Sequence, residues 1–124
     1  MKGLILKEGP ANNILLGKKT VDIRGSRTTN RGRIGVVISG TKQVWGTVEL
    51  YDCVPLTKDL FENEWRERHR SNSTYEELLK TYPKPYGWCL RDVKKFHKPV
   101  PYNHKQGCVI WVLLDDIVEE LNGR

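Results

Sequence analysis

Two apolar runs folded around a turn constrain this chain more than anything else in it: Ile34 to Ile38, then Ser39-Gly40-Thr41-Lys42, then Val44 to Tyr51. Runs rich in β-branched residues and bounded by turn formers read as a β-hairpin, because such side chains suit a pleated, half-buried surface. In the second strand Val44, Gly46, Val48 and Leu50 face one way and Trp45, Thr47, Glu49 and Tyr51 the other.

Further short strands are expected over Met1 to Leu6, Thr20 to Arg24, Tyr86 to Val93 and the apolar stretch Cys108 to Leu114. In Thr20 to Arg24, Val21 and Ile23 share one face, leaving Thr20, Asp22 and Arg24 on the other. Between the strands come helical signals. Pro10 can open a short helix that Gly17 closes in a left-handed cap, with Ile14 and Leu15 inward and Lys18 and Lys19 at its exit. Thr57 can cap a helix to about His69 that turns Leu60, Phe61 and Trp65 inward. Ser73 and Glu76 have the spacing of a capping box before the stripe Tyr75, Leu78, Leu79 and Tyr82, which Pro83 ends. Pro99 and Pro101 bracket a rigid connection, and Asp115 to Leu121 suits a terminal helical turn.

Four to six short strands with helices inserted near the start and middle indicate an α+β domain, a small closed or nearly closed β-barrel that leaves few edges exposed. At 124 residues, the stretch 1–124 is expected to be a single domain. No apolar run approaches the roughly 20 residues that cross a bilayer, so no membrane partner is expected. Lys7 and Glu8 follow Leu6 at once, so the first residues read as a strand rather than a signal-peptide core, and the cytoplasm is the expected location. Cys53, Cys89 and Cys108 are odd in number and form no Cys-x-x-Cys pair, which favours reduced, buried thiols. Neither they nor His69, His97 and His104 show zinc-ligand spacing, so no metal and no cofactor is expected.

The net charge of +6 is unevenly distributed. From Lys18 to Arg33, six basic residues (Lys18, Lys19, Arg24, Arg27, Arg31, Arg33) meet one acidic residue, Asp22. Arg91, Lys94, Lys95, Lys98 and Lys105 form a second excess against Asp92. Such segregation suits either a solvated surface or a face for an anionic partner. Interleaving with Ser26, Thr28, Thr29 and Asn30 favours phosphate oxygens as that partner's groups.

The segment Gly17-Lys18-Lys19-Thr20-Val21-Asp22-Ile23-Arg24, continued by Ser26, Thr28 and Arg31-Gly32-Arg33-Ile34, resembles the signature Gly-x-Lys-x-x-Glu-x-Arg of the activating-signal-cointegrator homology (ASCH) family. Asp22 stands at the acidic position. Tyr86-Gly87-Trp88-Cys89-Leu90, Pro99-Val100-Pro101-Tyr102 to Gly107, and Trp111 resemble the C-terminal half of such domains. The resemblance implies a PUA-like barrel with helices at a cleft and an RNA or nucleotide-like ligand, or another single-stranded nucleic acid. Taken with the two basic segments, it makes Lys18, Lys19, Arg24, Ser26, Arg27, Thr28, Arg31, Trp88 and Arg91 the candidate contacts. Arg24 offers a planar donor for a phosphate or base edge, Arg91 a phosphate-positioning contact. Trp88 shares a strand face with Tyr86 and Leu90, so it is either core or a base-stacking platform, and Trp45 and Tyr51 pose the same choice.

Some relatives are amidohydrolases of acylated cytidine and others have been assigned nuclease activity, which makes Lys19 and Asp22 the candidate catalytic pair, with His69 in support. In the amidohydrolase branch a threonine nucleophile would stand three residues after the lysine, where this chain has Asp22, and Thr20 would point to the opposite face from Lys19. That disfavours acylcytidine hydrolysis and leaves nuclease-like chemistry or a structural Lys19–Asp22 ion pair. Glu64 and Glu67 are the helix carboxylates that would assist. A protein-interaction module is the third reading, requiring an exposed apolar patch around Trp65.

Overall fold

The computed structural model describes residues 1–124 as one mixed six-stranded sheet with helices packed on it. The strands are β1 (Lys2–Leu6), β2 (Val21–Arg24), β3 (Gly32–Ile38), β4 (Gln43–Pro55), β5 (Tyr86–Pro101) and β6 (Trp111–Leu113), in the spatial order β2-β5-β4-β3-β1-β6. Only β1 and β3 run parallel, Leu4 opposite Val36, and the intervening chain holds the helix that such a crossover requires. The sheet curls into a half-barrel that brings the edge strand β2 toward β1 without pairing them. Arg24 on β2 spans that seam, its Nη2 donating to the carbonyl of Ile5 on β1 at 3.4 Å.

Both faces of β3 are covered, which is why it reads as an uninterrupted apolar run. Ile34, Val36 and Ile38 join one core with Leu4, Leu6, Trp88 and Leu90, while Val37 joins another with Val44, Phe96, Val112 and Leu114. Helix α1 (Glu8–Leu15) buries Ala11, Ile14 and Leu15 in the first core. It begins two residues before Pro10, a position tolerated because first-turn N–H groups have no intrahelical acceptor. Its exit follows the Schellman pattern: Gly17, at φ 74°, donates to Ile14 and Lys18 donates to Asn13. Lys19 N–H also reaches Asn13, so the chain stays pinned to the helix until β2 begins.

The middle segment is not one continuous helix. Thr57 Oγ1 accepts from Leu60 N–H, but a π-helical turn (Leu60–Glu64) follows and breaks at Trp65 before α2 (Arg66–His69). In α3 (Tyr75–Thr81) the capping box is Thr74 with Glu77, one residue later than the Ser73–Glu76 spacing suggested, because Thr74 is the residue in extended conformation at the helix entry. Leu56, Phe61 and Leu78 form a third, small core under this insertion.

Two expectations fail in the C-terminal third. β5 continues through Pro99 to Pro101, with Val100 opposite Val44; beyond Cys89 it pairs with β4 alone, and such an edge strand tolerates proline. The apolar run from Cys108 yields only three strand residues, leaving Val109 76%, Ile110 42% and Leu113 61% exposed. A short 3₁₀ turn (Asp115–Ile117) and α4 (Val118–Asn122) follow, Leu121 closing the second core. No helix is long and apolar enough to cross a membrane.

Candidate functional site

The seam opens into a cleft of about 520 Å³, which Lys7, Lys19, Asp22, Arg24, His69 and Tyr82 line together with apolar residues of β1 and β2. The helix exit places Lys19 there. Because Lys18 and Lys19 are still bonded to Asn13, strand alternation begins only at Val21, and Lys19 lies on the same side as Asp22 rather than opposite it. Its Nζ donates to the carbonyl of His69 at 3.0 Å and stands 4.0 Å from Asp22 Oδ1. Asp22 Oδ2 in turn accepts from Arg24 Nε at 2.6 Å. All three side chains are largely shielded, with 10%, 7% and 20% of the Lys19, Asp22 and Arg24 side chains exposed. Burial lowers the Lys19 pKa below the ordinary lysine value, outweighing the opposing pull of Asp22, and Arg24 adds to the lowering.

Thr20 does not join this face. It precedes β2, its hydroxyl accepts from Arg68 Nε at 3.0 Å, and its backbone bonds to Arg68 and Leu90. His69 is a buried residue rather than a surface one, at 2% exposure. Its Nδ1 accepts from the N–H of Ser71 at 3.1 Å, so the ring proton is on Nε2, which donates to the carbonyl of Phe61 at 2.6 Å. The ring stacks on Phe61 with centroids 4.4 Å apart. Burial is the main cause that lowers the His69 pKa, opposed by the bond to Phe61 and assisted by Arg66 and Lys19.

Trp88 belongs to the core. It is 2% exposed, stacks on Trp111 at 5.7 Å, carries the Arg24 guanidinium over its ring at 5.4 Å, and donates Nε1–H to the carbonyl of Ser26. No face remains for a base, which corrects the stacking-platform reading. Trp45 is half-buried and bonds Thr41, while Tyr51 is occupied by Arg68 at its hydroxyl and by Arg91 over its ring.

The remaining candidates are scattered. Ser26 and Arg27 are exposed on the loop after β2, Lys18 is exposed at the helix exit, and none of the three lines the cleft. Thr28 is buried, its hydroxyl accepting from Asn30 N–H, and Arg31 folds back onto the carbonyls of Thr28 and Asn30. Arg91 lies on the outer surface of β5, forked onto Glu49 at 3.0 and 3.3 Å. Glu64 and Glu67 are exposed and do not reach the cleft. Trp65 is half-buried beneath Arg68 and centres no exposed apolar patch. Among the thiols only Cys89 is buried; Cys53 and Cys108 are half-buried, and all three are free. No group of three or more His, Cys, Asp or Glu side chains is placed to hold a metal ion.

Sequence reasoning missed Lys7 and Tyr82 as cleft residues. Tyr82 is placed by contact with Gly25, where a Cβ would stand 2.7 Å from the tyrosine Cδ1. Only the glycine beside the end of the signature segment hinted at that close approach.

No family model and no curated protein sequence matches the chain. Among solved structures it is similar to an ASCH protein of Zymomonas mobilis, with a TM-score of 0.74 and 21% identity over 98% of this chain and 93% of that one. Crystal structures of two single-substitution variants of that protein match equally, at TM-score 0.74 and 21% and 20% identity, with 98% of this chain covered and 96% and 94% of theirs. A match of this extent, together with the half-barrel and its inserted helices, shows that the chain has the ASCH fold.

Proposed function

We propose that this domain binds nucleic acid, in particular RNA or a nucleotide-like ligand, in the seam cleft. The observation that carries the reading is the convergence of Lys7, Lys19 and Arg24 on one cleft whose only acidic lining residue, Asp22, is already engaged by Arg24. A half-enclosed space with an excess of fixed cations and apolar walls suits a phosphate and an attached base. Lys7 is the exposed cation at the rim and is free of the ion pairs that hold Arg24.

The test is binding of a single-stranded RNA across a salt series. Affinity should fall steeply with salt because cationic side chains displace counterions condensed on phosphates. Lys7→Ala should weaken binding with the fold intact. A salt-independent interaction, or none at all, would remove this reading.

One observation favours hydrolysis of RNA or a modified nucleoside at the same cleft as a second reading: burial lowers the Lys19 pKa despite the adjacent Asp22. A lysine shifted in that direction is a better proton acceptor near neutral pH. Acylcytidine hydrolysis stays disfavoured, since Thr20 is bonded to Arg68 outside the cleft and Asp22 is held by Arg24. RNA cleavage abolished in Lys19→Ala, with binding kept, would bring this second reading forward.

A further inference from the structure

A second cavity, of about 350 Å³, adjoins the cleft and shares Ile5, Ser39 and Val109 with it. Lys42, Tyr102, His104 and Cys108 form its far wall, and no Asp or Glu lines it. These groups are fixed to one another. Tyr102 N–H donates to the carbonyl of Lys42 at 3.1 Å, which ties the ends of β4 and β5 together. The His104 ring stands edge-on to Tyr102 with centroids 5.7 Å apart, and the Tyr102 hydroxyl lies 2.8 Å from His104 Nδ1. A cation and an aromatic pair thus stand one cavity away from Lys19, Arg24 and Tyr82, on a wall that, unlike the cleft's, holds no carboxylate.

Resting on the reading of the cleft as a nucleotide site, we propose that this second cavity is a further nucleotide subsite, so that the ligand is a single-stranded oligonucleotide passing Ser39 rather than a lone nucleotide. Each cavity falls in the size range of sites that enclose a small ligand. Repeated pairing of cations with aromatic rings is how proteins hold successive nucleotides, the cations following the phosphates and the rings receiving bases. Bases enter such spaces only when unstacked and unpaired, which selects a single strand over a duplex. Ser39 and Val109, common to both cavities, make the path between them continuous.

The experiment compares uridine 5′-monophosphate with a uridine tetranucleotide, on the parent protein and on Lys42→Asn and Tyr102→Ala. Asparagine tolerates the left-handed backbone that Lys42 adopts, at φ 55°, so the first variant removes the charge without straining the turn. The tetranucleotide should bind at least roughly ten-fold more tightly than the monophosphate. Each variant should lose roughly ten-fold for the tetranucleotide, the scale of one stacked base, and leave the monophosphate unchanged. In the parent, the tetranucleotide but not the monophosphate should slow alkylation of Cys108 by iodoacetamide. Cys53, also half-buried but outside both cavities, serves as the internal control. Equal affinity for the two probes, with Cys108 unprotected, overturns the subsite while leaving the cleft reading standing. Failure of both probes to bind the parent overturns both.

Discussion

The ammonium of Lys19 rests on the backbone carbonyl of His69, 3.0 Å away and 50 residues later in the chain. This bond joins the exit of α1 to the helical insertion, so the cleft exists only when both are docked on the same end of the sheet. Burial lowers the pKa of both Lys19 and His69.

Asp22 is the counter-charge of that arrangement. Replacing it by Ala leaves Lys19 and Arg24 without their carboxylate inside a shielded cleft, a change expected to cost about 3–5 kcal/mol, as for other broken buried pairs. Arg24→Ala should also destabilise, through loss of the Asp22 and Ile5 bonds and of the contact over Trp88. Arg91→Ala, which removes a solvent-exposed pair with Glu49 and the contact over Tyr51, should shift stability least of the three. Urea unfolding of the three variants gives this order, and an Asp22 variant as stable as the parent would show the pair to be dispensable.

His69 makes stability depend on pH. Its folded-state pKa lies below the ordinary value of 6.5, so below that pH the unfolded chain takes up a proton that the folded imidazole resists. The unfolded state then binds more protons, and stability contributed by His69 is full above 6.5 and declines as pH falls toward the folded-state pKa. Protonation would also oblige Nδ1 to stop accepting from Ser71. Denaturant midpoints measured from about pH 7.5 to about pH 5 should fall, with a shallower slope in His69→Gln. Identical slopes in both proteins would assign the effect to other groups.

Helix α3 is capped by Thr74, not by its neighbour. Thr74→Ala should cost about 1 kcal/mol, the usual loss for an N-cap hydroxyl, whereas Ser73→Ala should cost distinctly less. Thermal denaturation of the pair decides it, and the reverse order would move the cap back to Ser73.

Gly25 sets the position of Tyr82 at the cleft. A methyl group there would stand 2.7 Å from the ring, so Gly25→Ala must displace it, at an overpacking cost of about 1–3 kcal/mol. Fluorescence from the tyrosine and tryptophan rings and the melting temperature should both change. An unchanged melting temperature would mean that the ring yields freely.

Period-two patterning and turn residues, both local properties, determined the hairpin of β3 and β4, the α1 exit at Gly17 and the α+β character with its inserted helices. They also put Asp22 and Arg24 on one strand face, since alternation follows from backbone geometry alone. What local pattern could not carry is where the sheet ends meet. Whether Trp88 is core or platform depends on Trp111 arriving from β6 and Arg24 lying over its ring, contacts made across the curl of the sheet. The length of β5 past Pro99 depends on having β4 on one side only, and the burial of His69 on an insertion folding back over Phe61. The basic segments that look alike in sequence were separated the same way: the α1 exit and β2 turned Lys19 and Arg24 into the seam, while β4 neutralised Arg91 with Glu49 on the outer surface. Sequence determined which residues carry charge and which strands form, because those depend on neighbours a few positions away. Only the tertiary structure decided which charges share a cleft, because that depends on packing between segments tens of residues apart.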